Sequence, residues 1–143
     1  MSIKILEINK NENDESLVTI KHCNEIFKAK VNNDTLLLKN NYDTEKEILV
    51  EIDYTKIESF EIIENYFDEQ SIIQQFNNND RLIELIGRIH NIIDCDDEKI
   101  IDIYLMNGCE FLAISSKDIN NVSVRIDDGI KLIIRDLCFY PNN

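Results

Sequence analysis

The residues best equipped for chemistry are the two histidines and four cysteines, which fall into two pairings, His22 beside Cys23 and His90 shortly before Cys95. Two such pairs meeting in space would offer soft ligands to a metal, but neither spacing is that of a zinc finger or ribbon. Cys23, Cys109 and Cys138 each fall in a stretch that reads as strand among apolar neighbours, where a free thiol behaves as a small hydrophobe. A cysteine nucleophile needs a base beside it and surroundings that favour the thiolate, and a net charge of -13 opposes the second requirement. The sequence therefore predicts no metal, no cofactor and no catalytic Cys-His pair.

Carboxylates are the other reactive groups. Asp94, Asp96, Asp97 and Glu98 crowd one short segment that lacks the glycine and spacing of an EF-hand loop, so it reads as a solvated hairpin turn. With only three glycines the chain has no phosphate cradle, and GxGxxG, GxxxxGK[ST], GxSxG and HExxH are all missing. An enzyme is disfavoured on these grounds. One with an unfamiliar site would need a concave pocket uniting at least two of His22, Cys23, His90 and Cys95.

The charge balance says more about partners. Asp and Glu number 28 against 15 Lys and Arg, a surplus that repels nucleic-acid phosphates and anionic headgroups. Direct nucleic-acid or membrane binding is not expected, whereas a basic protein is attracted and met faster. Interfaces combine such charges with aromatic anchors. The mixture appears in Asp53, Tyr54, Glu58, Glu61, Glu64, Tyr66, Asp68 and Glu69, which together with Asp94, Asp96, Asp97 and Glu98 form the candidate partner-binding set. For any single member the simpler reading is a carboxylate facing water or an aromatic in the core.

What must position these groups is read from hydrophobic period. Ile3 to Ile8 reads as strand, the polar run Lys10 to Glu15 as loop, and Leu17 to His22 and Phe27 to Val31 as a hairpin with one wet face. Asn32, Asn33 and Asp34 turn into Thr35 to Leu38, and Ile48, Val50, Ile52 and Tyr54 alternate as a further strand. Ile57, Phe60, Ile63, Tyr66 and Phe67 fit a helical face while Phe60 to Ile63 also fits a short strand, and a short helical turn leading into a strand is expected. Residues 68–80 read as a connecting loop. Residues 81–94 fit helix or strand, and Gly87 favours a long bent strand. Ile101 to Leu105, the Asn107-Gly108 turn signal, Cys109 to Ala113, Val122 to Ile126, an Asp127-Asp128-Gly129 turn and Ile130 to Phe139 complete a C-terminal meander ended by Pro141.

The fold class is thus mainly β, a small antiparallel barrel- or sandwich-like domain of about 8 to 10 strands with at most one or two short helices. Residues 1–143 make a single domain, with two similar halves, about 1–66 and 81–141, joined by the 68–80 loop. The echo of Cys23-Asn-Glu-Ile-Phe-Lys-Ala29 in Cys109-Glu-Phe-Leu-Ala113 supports the halves. No apolar run reaches the length of a membrane span, and no secretory leader is seen, so a cytoplasmic location with reduced thiols is expected. Heavy use of Asn, Ile and Lys points to an AT-rich bacterial or phage genome.

Gly87, Ile89, Asn107-Gly108, Phe111, Asp118 and Asp128-Gly129 follow one another in an order that resembles the small OB-type modules appended to bacterial transport ATPases. The resemblance runs from Gly87 to the end of the chain and implies a small barrel-like half, but no ligand signature and no function. Size, charge and β architecture together lead to a small acidic binding or inhibitor protein that blocks a basic partner. A toxin paired with an immunity protein, or a nucleic-acid-handling defence enzyme inhibited by a phage, fits that description. The alternative is an OB-like β-barrel accessory module that binds a small ligand or forms a homo-oligomer.

Overall fold

The structure is a computed structural model that describes residues 1–10, 16–31, 47–106 and 110–141. Nine strands share one sheet: β1 (Ser2–Lys10), β2 (Ser16–His22), β3 (Glu25–Val31), β4 (Ile48–Ile63), β5 (Ile72–Phe76), β6 (Asn79–Cys95), β7 (Glu98–Leu105), β8 (Glu110–Ser115) and β9 (Gly129–Pro141). The mainly β, barrel- or sandwich-like class read from the alternation is the class observed. Two short 3-10 turns, Asp68–Gln70 and Ser116–Ile119, are added, and no helix reaches seven residues among the described residues. No helix is long and apolar enough to cross a membrane among those residues either.

Neighbouring strands run in the order β3, β2, β1, β4, β9, β6, β7, β8, with β5 attached to β6. A parallel pairing of β3 with β9, Ala29 opposite Leu137 and Val31 opposite Phe139, returns the first five of these strands upon themselves. Such closure leaves fewer unpaired backbone groups at sheet edges. The two long strands do most of the joining. β4 pairs with β9 from Val50 opposite Pro141 to Ile63 opposite Gly129, with one register shift between Ile57 and Ser59, so the expected halves share a long ladder. One apolar core runs through both, from Val18, Ile20 and Phe27 to Leu85, Ile103 and Leu132. Phe27 and Phe139 are fully buried, and each contributes roughly 1.5–3 kcal/mol by leaving water.

β9 changes partners at a corner. Up to Arg135 it pairs with β6, from Leu137 onward with β3, and between them Asp136 takes a left-handed φ of 54°. The buried Asp136 carboxylate accepts two hydrogen bonds from Arg81 of β6, at 2.7 and 2.8 Å, and lies 3.7 Å from Lys30 Nζ of β3. One side chain thereby holds both strands that β9 exchanges.

Several expectations are corrected. Residues 57–63 form no helical turn but complete β4, because β9 supplies a partner as far as Ile63. Residues 81–94 are strand, as Gly87 indicated: a Cβ there would sit 2.4 Å from the Tyr104 carbonyl oxygen, so only glycine lets β6 approach β7 this closely. Residues 68–80 are not a loop. They hold a 3-10 turn, β5 and a two-residue turn in which Asn77 and Asn78 take φ of 53° and 55°, the left-handed pair of a type I′ hairpin.

Val122 to Ile126 is no strand, and Asp127-Asp128-Gly129 is no hairpin turn. The segment is instead held by a turn in which Asp128 N donates to Arg125 O, followed by backbone bonds from Ile89 N to Asp128 O and from Asp127 N to Ile89 O. These bonds lead the chain into β9 beside β6. Cys23 is not in a strand but exposed in the β2–β3 turn, at a φ of 53°. Cys138 is buried as expected. The strand at 35–38, its turn, most of the 10–15 loop, Asn107-Gly108 and Cys109 lie outside the described residues, although β7 and β8 do pair antiparallel with Leu105 opposite Glu110.

Candidate partner-binding groove

A concavity of about 490 Å³ lies between the tip of the β6–β7 hairpin and residues 121–124. Its position follows from local turn chemistry. Cys95 pairs with Glu98, leaving Asp96 and Asp97 as the two turn residues, and Asp96 takes the left-handed φ of 40° that aspartate tolerates. On the opposite wall the Ser116–Ile119 turn is capped by Ser115, whose hydroxyl accepts from Lys117 N at 3.2 Å. Asn120 and Asn121, both left-handed, then reverse the chain so that Val122 to Val124 face the hairpin.

Four carboxylates, Asp94, Asp96, Asp97 and Glu98, line this groove against the single ammonium of Lys99. Asp97 meets Lys117 Nζ at 2.8 Å across the rim, a pair more than half exposed on both sides and therefore weak. Glu98 accepts from the Ser115 hydroxyl, and Lys99 N donates to Ser116 Oγ at 2.9 Å, which ties the hairpin to the 3-10 turn. Asp94 and Asp96 are exposed. Ile101, Val122 and Val124 supply apolar lining, and Val122 is 44% exposed. A wall of carboxylates beside apolar surface suits a lysine or arginine, whose charged head needs the acid and whose stem needs the apolar contact.

A smaller hollow of about 160 Å³ adjoins it, sharing Val122 and lined also by Ile57, Glu58, Phe60 and Asp118. Tyr54 braces the ground behind both: its phenol donates to Asp118 and accepts from Ser115 N at 3.2 Å. Burial, reinforced by the Asp118 carboxylate, pushes that phenol up to about 12.

No protein-family model, curated protein or solved structure matches this chain. Its own geometry must carry the functional reading.

The structure sorts the expected binding residues. Asp94, Asp96, Asp97 and Glu98 come together in the groove, and Glu58 lies at the neighbouring hollow, already paired with Arg135 Nε at 2.7 Å. Arg135 and Lys56 hold the Glu58 carboxyl below the usual range. Tyr54 and Asp53 are half-buried, with Asp53 Oδ1 accepting from Tyr54 N at 2.8 Å. Tyr66 packs over Gly129, where a Cβ would collide with its ring, and Asp68 bonds Arg88 at 3.2 Å. Both make contacts within the fold. Glu61, Glu64 and Glu69 are exposed but line neither hollow.

The second wall, Ser116 and residues 121–124, was missed by sequence reasoning because its valines alternate as a strand would. The Asn120-Asn121 pair was the available signal that the chain turns there. Among the described residues no three His, Cys, Asp or Glu side chains are grouped to hold a metal. His90 packs at a tilt against Phe111, with ring centres 5.1 Å apart.

Proposed function

We propose that this chain is a binding protein that captures a basic segment of a protein partner in the groove between the β6–β7 tip and residues 121–124, and blocks that partner. The observation that carries the reading is the convergence of Asp94, Asp96, Asp97 and Glu98 on one concave surface with apolar lining, on a molecule whose net charge of -13 draws basic partners from a distance. A toxin neutralised by its immunity protein and a defence enzyme inhibited by a phage are the partner classes this chemistry fits. The test is capture from the native host at low salt by the wild type and by a variant carrying Asp94→Asn, Asp96→Asn, Asp97→Asn and Glu98→Gln. One stoichiometric basic protein held by the wild type, lost by the variant, and associating more slowly as salt rises is the expected result. Equal retention by both proteins, or an association rate indifferent to salt, refutes the reading.

A second reading, an OB-like accessory module that self-associates, is favoured by one observation. On the outer face of β6, β7 and β8, Arg88 lies over Tyr104, Tyr104 stacks on Phe111, and Phe111 is 47% exposed. Such composition is typical of interface cores. A mass in solution equal to one chain, unchanged from micromolar to millimolar concentration, eliminates it.

A further inference from the structure

We infer that Cys23, with His22 as its proton acceptor, is a thiol poised for exchange with small disulfides. The evidence begins with the imidazole. His22 is only 4% exposed, and its Nδ1 lies 3.0 Å from the backbone oxygen of Ser2 on β1. A carbonyl oxygen only accepts, so Nδ1 must carry the hydrogen, which leaves Nε2 of the neutral ring as a lone pair. Among the described residues, what Nε2 meets is the Cys23 sulfur, at 3.7 Å. A buried acceptor is thus aimed at an exposed thiol, and the ring's far side is fixed by a backbone oxygen that also steadies an imidazolium, the orienting arrangement that activated nucleophiles use.

The turn keeps the sulfur outside. Cys23 occupies a left-handed position, φ 53°, that glycine or asparagine would fill at less cost, and it is exposed while its neighbour is buried. The charged groups around the pair are mixed: Glu25 lies opposite His22 across the turn, Lys21 precedes it and pairs with Lys4 of β1, and Glu47 accepts from the Ser2 hydroxyl at 3.1 Å. Cys95 supplies the contrast. It too is exposed, but it stands between Asp94 and Asp96 with no imidazole beside it among the described residues.

The step is balanced. The Cys23 sulfhydryl proton moves to His22 Nε2 while Nδ1 keeps its bond to Ser2. The thiolate attacks one sulfur of the incoming disulfide and a new S–S bond forms as the old one breaks. The departing thiolate takes the proton back from Nε2, leaving a mixed disulfide on Cys23 and one free thiol.

The test uses the whole chain and dithiodipyridine, an uncharged disulfide indifferent to the protein's field, with the modified cysteine identified by peptide mass spectrometry. The expected result is that Cys23 reacts about tenfold faster than Cys95 at about pH 6, and that the advantage narrows toward pH 8, where unassisted thiols ionise on their own. In His22→Gln the Cys23 rate falls to that of Cys95. Should that variant fail to fold, the wild-type comparison of Cys23 with Cys95 across pH decides. Equal rates at both pH values, or a fast Cys23 that survives loss of the imidazole, overturns the proposal.

Discussion

Replacing Asp136 by asparagine tests the corner at which β9 leaves β6 and joins β3. Asparagine keeps the volume and tolerates the left-handed φ of 54°, so the substitution removes charge and little else. What is lost is a buried carboxylate bonded twice to Arg81 and set near Lys30. Breaking a buried pair costs about 3–5 kcal/mol. Because Arg81 is 41% exposed and Lys30 20%, both cations rehydrate in part, which brings the expected loss to about 2–3 kcal/mol. That is a large share of the roughly 5–15 kcal/mol that holds an ordinary domain together.

The effect has a pH signature. Burial alone would raise the Asp136 carboxyl, but the opposing pull of Arg81, then Lys30 and Arg135, holds it below its ordinary value of 3.8. A carboxyl lowered in the folded state contributes stability that is complete above the unfolded value and is lost as pH falls through the folded one. Urea unfolding of wild type and Asp136→Asn should therefore differ by about 2–3 kcal/mol at pH 7, and the gap should shrink below about pH 4. A gap under about 0.5 kcal/mol at neutral pH, or one that does not change with acid, would show that the carboxylate does not hold the corner. Asp136→Ala should cost more than Asp136→Asn by about 1 kcal/mol, since alanine pays for the left-handed backbone.

Two further outcomes follow from local geometry. Gly87→Ala forces a methyl group against the Tyr104 carbonyl oxygen and the Leu105 side chain; overpacking of about 1–3 kcal/mol, less about 0.4–1 kcal/mol from a stiffer unfolded chain, gives a net loss near 1–2 kcal/mol by chemical denaturation, and no loss would contradict the close approach. In an alkaline absorbance titration Tyr54 should ionise near pH 12, so folding loses stability as pH rises from 10.0 toward that value, and Asp118→Asn should shift the transition only part of the way down because burial is the larger cause.

The strands with unbroken alternation were legible, and the helix-like spacing met in others has a common cause. In β4 the register slips between Ile57 and Ser59, so Ile57 and Phe60, three apart, both pack on the core opposite Ile134 and Leu132. β6 slips between Ile89 and Asn91, and β1 between Ile5 and Glu7, again putting core residues three apart at Ile89 and Ile92 and at Ile5 and Ile8. A β-bulge converts the two-residue period of a strand into the three-residue spacing of a helix, and local pattern cannot separate them. The β5–β6 turn escaped notice because Asn77-Asn78 lacks the glycine that makes such turns conspicuous. Of the groove, the carboxylates at 94–98 were visible as one crowded segment, whereas the opposing wall depends on a reversal at Asn120 and Asn121.

The return of β9 to β3 governs how the chain reaches this state. Ala29 of β3 meets Leu137 across more than a hundred residues of sequence, and β4, early in the chain, waits for the same strand from Val50 to Ile63. Pairings so distant in sequence carry a high loop-closure cost before they repay it, which places folding in the slow, millisecond-to-second regime of non-local β proteins. On the ribosome, β1 to β4 emerge without the strand that completes their hydrogen bonding, so the nascent chain presents an open ladder edge until residues 129–141 are released.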